Sequence, residues 1–205
     1  PPTDHARNLC ITLDCKLSMK PQVNAVSSAC FLTLRMLRKI FKWLSINTRK
    51  IVTQALLTSR LDYGNALYTG INAHLLKRLQ TIQNASARLI LDLLRRTHIT
   101  PHLKKLHWLP IQKRCHFKTL IHRYKSLHNI GPAYLNFRLN FHHPPRQLRS
   151  TIQALSHTPC IRQSNTNGRS FSYIAAKIRN ALPLNLRTNH SLSEFQKNLK
   201  TWLFE

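Results

Sequence analysis

The chain has 205 residues, of which 32 are Lys or Arg and only six Asp or Glu, for a formal net charge of +26 with His neutral. With 42% apolar residues it can bury a core, which excludes a disordered tail, and its excess positive charge calls for a polyanion whose condensed counterions are released on binding. No two of the carboxylates Asp4, Asp14, Asp62, Asp92, Glu194 and Glu205 share a helical turn or strand, so no ligand set for two-metal phosphoryl transfer is visible.

The elements follow in chain order. Leu9, Ile11 and Leu13 alternate with Cys10, Thr12 and Asp14, the period of a half-buried strand. After Pro21 the spacing becomes helical: Val23, Val26, Cys30, Leu34, Leu37, Phe41 and Leu44 form an apolar stripe, with Lys20, Arg35, Arg38, Lys39 and Lys42 on the wet side. Ser45 or Asn47 can cap a second helix carrying Ile51, Val52, Ala55, Leu56 and Ser59, which should stop near Asp62-Tyr63-Gly64-Asn65. A third helix is expected from about Ala73 to Leu94, its stripe made by Leu75, Leu76, Leu79, Ile82, Ser86, Leu89, Ile90 and Leu93.

Thr100-Pro101 reads as an N-cap with Pro at the first helical position, opening a brief helix through Leu106. Trp108-Leu109-Pro110 turns into another helix from Ile111 to about His128, stopped by Gly131-Pro132. Phe141 to Gly168 reads as a long basic loop, and Phe171 to Ala181 and Ser191 to Phe204 as two last helices, the second with a capping box of Ser191 and Glu194. The expected fold is mainly α: a short N-terminal β-hairpin or strand, then a helical bundle, then a smaller helical C-terminal region. Its expected divisions are 1–20 (short strand region), 21–97 (three-helix bundle), 98–140 (helical extension), 141–170 (basic loop or linker) and 171–205 (C-terminal helices).

Five scattered cysteines argue against a disulfide framework and for a reducing, intracellular compartment. No apolar run approaches ~20 residues and no signal-peptide pattern opens the chain, so neither membrane spanning nor export is expected. Twelve histidines invite a zinc reading at His5, Cys10 and Cys15, at Cys115 with His116, or at His157 with Cys160, but none has the paired knuckles of a structural site. Cys115 and His116 are adjacent on a helix and point about 100° apart, which defeats a nucleophile and base couple. Glycines at 64, 70, 131 and 168 cannot form a phosphate loop, so no nucleotide cofactor and no small-molecule substrate is expected.

Basic pairs at Lys77-Arg78, Arg95-Arg96, Lys104-Lys105 and Lys113-Arg114, and the series Arg138, Arg146, Arg149, Arg162 and Arg169, almost lack acidic neighbours, as a surface following a phosphate backbone would. Trp43, Trp108, Tyr124, Phe171 and Tyr173 could stack on bases or belong to the core.

Longer strings carry a resemblance. Leu9-Cys10-Ile11-Thr12-Leu13-Asp14 with Leu17-Ser18-Met19-Lys20-Pro21 looks like the segment after the polymerase palm in reverse transcriptases of non-LTR, LINE-type, jockey-like retrotransposons. Ser59-Arg60-Leu61-Asp62-Tyr63-Gly64-Asn65-Ala66-Leu67, Leu79-Gln80-x-Ile82-Gln83-Asn84-Ala85-x-Ala87-Arg88, and His98-Ile99-Thr100-Pro101 with Leu106-His107-Trp108-Leu109-Pro110 are similar to that family's thumb and following region. So are Gly131-Pro132-Ala133-Tyr134-Leu135 and the closing Phe195-x-x-x-Leu199-Lys200-Thr201-x-Leu203-Phe204. Cys10 stands where the family usually has Gly, and Met19 where it usually has Phe.

The resemblance implies the thumb and C-terminal part of an RNA-directed DNA polymerase acting on chromosomal DNA in the nucleus. Its catalytic aspartates and their Mg2+ would lie in an upstream palm, so no catalytic residue, metal ligand or cofactor is expected within these residues. The implied partners are RNA and DNA as a template-primer duplex, and the upstream palm and fingers. A thumb's cations should meet phosphates and ribose rather than base edges, and Lys20, Arg35, Arg38, Lys42, Arg49, Lys50, Lys77 and Arg78 are the candidates. Asp62 and Tyr63 read as structural, closing a helix end and anchoring a turn. The alternatives are a stand-alone helical nucleic-acid-binding module and a decayed, non-functional fragment, the latter distinguishable by its lack of cooperative unfolding.

Overall fold

A two-residue turn sets the start of the fold. Strands β1 (His5–Asn8) and β2 (Ile11–Asp14) pair antiparallel, with His5 opposite Asp14 and Asn8 opposite Ile11. The computed structural model describes residues 4–136, 154–161, 167–189 and 191–204. Leu9 and Cys10 form the turn with φ of 44° and 61°, the left-handed geometry of a tight hairpin. Leu9, expected on a half-buried strand, is therefore an exposed turn residue, because the chain must reverse where the alternation would have continued. Left-handed backbone costs a residue with a Cβ about 1–2 kcal/mol, part of which glycine's freer unfolded chain takes back. Cys10→Gly should thus raise the melting temperature by a degree or two, read by circular dichroism; a lower value would contradict the turn geometry.

The chain forms two compact units, residues 1–114 and 115–205, with the boundary inside one helix. In the first unit, α1 (Lys20–Ile40) has Pro21 in its opening turn and ends in a 3-10 turn, Phe41–Trp43, rather than continuing to Leu44. Val23, Cys30, Leu34, Leu37 and Phe41 are buried as the spacing predicts. The buried Gln22 accepts the Thr12 amide at 2.9 Å and ties the hairpin to α1. Asp14 fixes the other side of that joint, its Oδ2 accepting the Ser18 amide at 2.9 Å and its Oδ1 the Met19 amide at 3.0 Å. Met19 is itself buried.

Burial pushes the Asp14 carboxyl up, but the hydrogen bonds from Ser18 and Met19 outweigh it and hold the pKa below 3.8. A depressed carboxylate stabilises the fold fully above its unfolded pKa, and that stability is lost as pH falls through the folded value. Asp14→Ala should therefore cost about 1–2 kcal/mol at neutral pH. Thermal melts of the two proteins should converge in strong acid; a gap that persists there would refute the charge-linked part of the effect.

Ser45 caps α2 (Ile46–Thr53) by accepting the Thr48 amide, and the helix runs through a π turn, Gln54–Thr58, into α3 (Ser59–Asp62). The stop falls at Tyr63-Gly64, with Gly64 at φ 63°. A Cβ on Gly64 would stand 2.6 Å from Ile11 Cδ1, so the glycine admits the hairpin as well as the turn. Tyr63 reaches back to donate its hydroxyl to the Leu9 carbonyl at 2.7 Å, and Asp62 binds Arg114 through Nε at 2.9 Å and through Nη2.

Asn72 caps α4 (Ala73–Leu91), which packs against α1 and α2 and ends three residues before the expected Leu94, with Asp92 as its C-cap in the left-handed conformation. The Gln80, Gln83 and Asn84 string is a clamp on the later chain. Gln83 Nε2 donates to the Leu109 carbonyl and Gln80 Oε1 accepts the Ile111 amide, each at 2.8 Å, while Gln80 Nε2 bridges Gln83 and Asn84. Helix α5 (Thr100–Lys105) starts one residue earlier than expected, since Ile99 and not Thr100 is its N-cap. Ile99 and Leu103 pack on Ala87 with Leu93, Leu106 and Trp108 around them.

Helix α6 (Ile111–Leu127) carries the chain into the second unit. There its end is closed by the Ile130 and Gly131 amides, both donating to the Lys125 carbonyl, with Asn129 at φ 55°. Helices α7 (Ala133–Asn136), α8 (Phe171–Asn180), α9 (Leu184–Arg187) and α10 (Leu192–Phe204) follow, α9 being unforeseen. Arg179 of α8 is buried and holds the Ala154 and Arg187 carbonyls and the Ser156 hydroxyl, and Asn180 pairs with both backbone groups of Ser156. Burial first, and then Arg187, pushes the Arg179 pKa down to about 10. Tyr124 stacks on Phe195 at 4.6 Å. The reciprocal cap expected of Ser191 and Glu194 is not among the hydrogen bonds of the described residues; the Ser191 hydroxyl meets that of Ser193 at 3.0 Å. Most of the expected 141–170 loop, with Arg138, Arg146, Arg149 and Arg162, lies outside the described residues.

The protein is mainly helical, a two-stranded antiparallel hairpin preceding the helices, as the composition and spacing predict.

Candidate nucleic-acid interface

Helix α1 carries three different faces. At 100° per residue its core stripe occupies one, and Lys20, Asn24, Arg35 and Arg38 fall within about 60° of one another on the next. Lys20, Arg35 and Arg38 are exposed, and Lys42 follows, exposed, in the 3-10 turn. Asn24 is the joint to α4: its Oδ1 accepts Arg78 Nη1 at 2.7 Å, which adds a second helix's cation to the row. No carboxylate occurs between Asp14 and Asp62, so nothing on α1 or α2 neutralises this face from within.

The remaining candidates separate. Arg49 is half-buried and donates Nε to the Leu44 carbonyl at 3.0 Å, so it fastens the turn that leaves α1. Lys50 on α2 and Lys77 on α4 are exposed, and no hydrogen bond of the described residues ties either to the row. Arg114 is committed to Asp62, and Arg88 to the Thr97 carbonyl at 3.2 Å. Exposed Arg95, Arg96, Lys104 and Lys105 stand apart on the turn after α4 and on α5.

Sequence spacing missed one cation. Arg60 of α3 donates Nη1 to Thr33 Oγ1 at 3.3 Å, 27 positions away, and so borders α1 on a different edge. Burial pushes the Cys30 thiol on the core face up, and Arg60 pulls it only partly back, leaving an inert thiol. Nothing local in the sequence announces the Arg60 contact, which exists only once α3 packs on α1.

Chemically the row can bind anions and little else. Among the described residues no three of His, Cys, Asp and Glu gather as a metal site would require. Cys115 is buried, and burial holds the neighbouring His116 below the ordinary histidine range. Among the described residues no helix is long and apolar enough to cross a membrane. Comparison with family models, with curated proteins and with solved structures found no match to this chain.

Proposed function

We propose that this chain is the thumb and following region of a non-LTR retrotransposon reverse transcriptase, and that it grips an RNA/DNA template-primer duplex through the basic row of α1. The observation that carries the reading is the row itself: Lys20, Arg35, Arg38 and Lys42 with Arg78 beside them and no acid between. From Lys20 to Arg38 it runs about 27 Å at 1.5 Å per residue, long enough to meet several successive phosphates of a duplex. The ordered strings of the resemblance support the same reading, and several of them build the frame behind the row: the Gln80, Gln83 and Asn84 clamp, the Asp62 ion pair and the Tyr63 anchor.

Phosphate contacts fix register without reading sequence, so the grip is sequence-tolerant and salt-sensitive. Polymerisation belongs to a palm and its Mg2+ outside these residues. Filter binding across a salt series, with RNA/DNA hybrid, duplex DNA and single-stranded RNA of equal length, tests the proposal. The hybrid should bind tightest, with a log-log slope near −4 from about four or five neutralised phosphates. A chain that prefers single-stranded RNA, or shows a slope shallower than about −1, is not a duplex grip.

A further inference from the structure

The third face of α1 is apolar and exposed. Leu32, Met36 and Ile40 are 58%, 55% and 50% exposed, and Trp43 in the following turn is 86% exposed. With Ala25 and Ala29 they recur at steps of four, three, four, four and three residues, a mean of 3.6 that keeps them on one narrow stripe of the helix. The helix core lies on another side, against α4, so this seam is surplus to the fold. Both its edges are cationic: Lys39 follows Met36 on one, and Arg60, held on Thr33, stands on the other.

We infer that this seam is a docking site for an acidic amphipathic helix, with apolar residues at heptad spacing and Asp or Glu flanking them, supplied by a polypeptide other than this chain. Charge complementarity selects that occupant. A second copy would bring Lys39 and Arg60 against the same cations, and two bodies of +26 repel. An anionic membrane surface takes a broad apolar face, wider than one row of side chains. Nucleic acid would find a single ring, Trp43, at one end of the seam and aliphatic Leu32, Met36 and Ile40 along the rest, and the phosphate-binding cations occupy a different stripe. The inference goes beyond the polynucleotide reading and does not depend on it.

The test uses the whole chain and a labelled designed peptide of three heptads, Leu at the seam and Glu at the flanks, followed by fluorescence anisotropy. Met36→Ser with Ile40→Ser should weaken binding at least about tenfold, and Lys39→Glu with Arg60→Glu by a similar factor. Circular dichroism melts should be unchanged for the serine pair, whose sites are exposed. The same peptide with Lys for Glu should not bind. Three results would overturn the inference: peptide affinity indifferent to the serine pair, a dimer in sedimentation that the serine pair dissolves, or loss of binding to anionic vesicles or to hybrid in the serine pair while the peptide still binds. Hybrid affinity that fails in the unmodified chain leaves the peptide result standing, so the two claims fail separately.

Discussion

Reversing Arg35, Arg38 and Lys42 together to Glu should weaken binding to an RNA/DNA hybrid by at least about 100-fold at physiological salt and flatten the log-log salt slope by about three. The magnitude follows from counterion release, since each lost phosphate contact removes roughly 0.9 from the slope, and three of them extrapolated from 1 M to 0.15 M remove about two decades. Reversal adds repulsion where neutralisation only deletes attraction, so Arg35→Gln, Arg38→Gln and Lys42→Gln should show the same slope change with a smaller loss. All three side chains are exposed, and the melting temperature should hold or rise as self-repulsion falls. Reversing Lys104 and Lys105 of α5 is the control, expected to cost far less. Equal losses from both sets would mean that bulk charge, not the α1 row, holds the polymer.

The largest effect on stability is expected at Asp62. Its Oδ1 accepts Arg114 Nε at 2.9 Å and Asn65 Nδ2 at 3.1 Å, and its Oδ2 completes a bidentate ion pair with Arg114 Nη2. The two side chains keep only 19% and 29% of their surface, for Arg114 and Asp62 respectively. Asp62→Ala would leave a guanidinium and the buried Asn65 amide without their acceptor, at about 2–3 kcal/mol, less than for a fully enclosed pair. For a chain of this size the melting temperature should drop by roughly 5–10 °C. Asp62→Leu with Arg114→Met should recover part of that loss, because removing both partners leaves no orphaned charge. A shift under a degree for Asp62→Ala would mean the bidentate pair is not formed in solution.

What the sequence makes legible is periodicity. The core side of α1, the Ser45 cap, the stop at Gly64 and the helices at 111–127 and 171–180 all follow from local spacing and capping chemistry, and they appear where they are expected. What it hides is tertiary choice. Leu32, Met36, Ile40 and Trp43 are as apolar as the core stripe, and only packing decides which of the two stripes meets α4. Leu9 continues an alternating pattern that the hairpin needs to break. Among the candidate cations, helix geometry alone groups Lys20, Arg35 and Arg38, whereas Arg78 joins through a hydrogen bond 54 positions long and Arg49 is diverted to a carbonyl five positions away. A guanidinium's job depends on which acceptor the fold brings within reach, and spacing carries no record of that.

Site-specific photocrosslinking tests the central claim most directly. A benzophenone side chain placed singly at positions 35, 38, 36 and 40 samples the basic row and the apolar seam of one helix in one experiment. Crosslinks to a labelled RNA/DNA hybrid from 35 and 38, with none above background from 36 and 40, are the predicted result. Equal yields from both faces, or yields confined to 36 and 40, would contradict a grip made by the cations of α1.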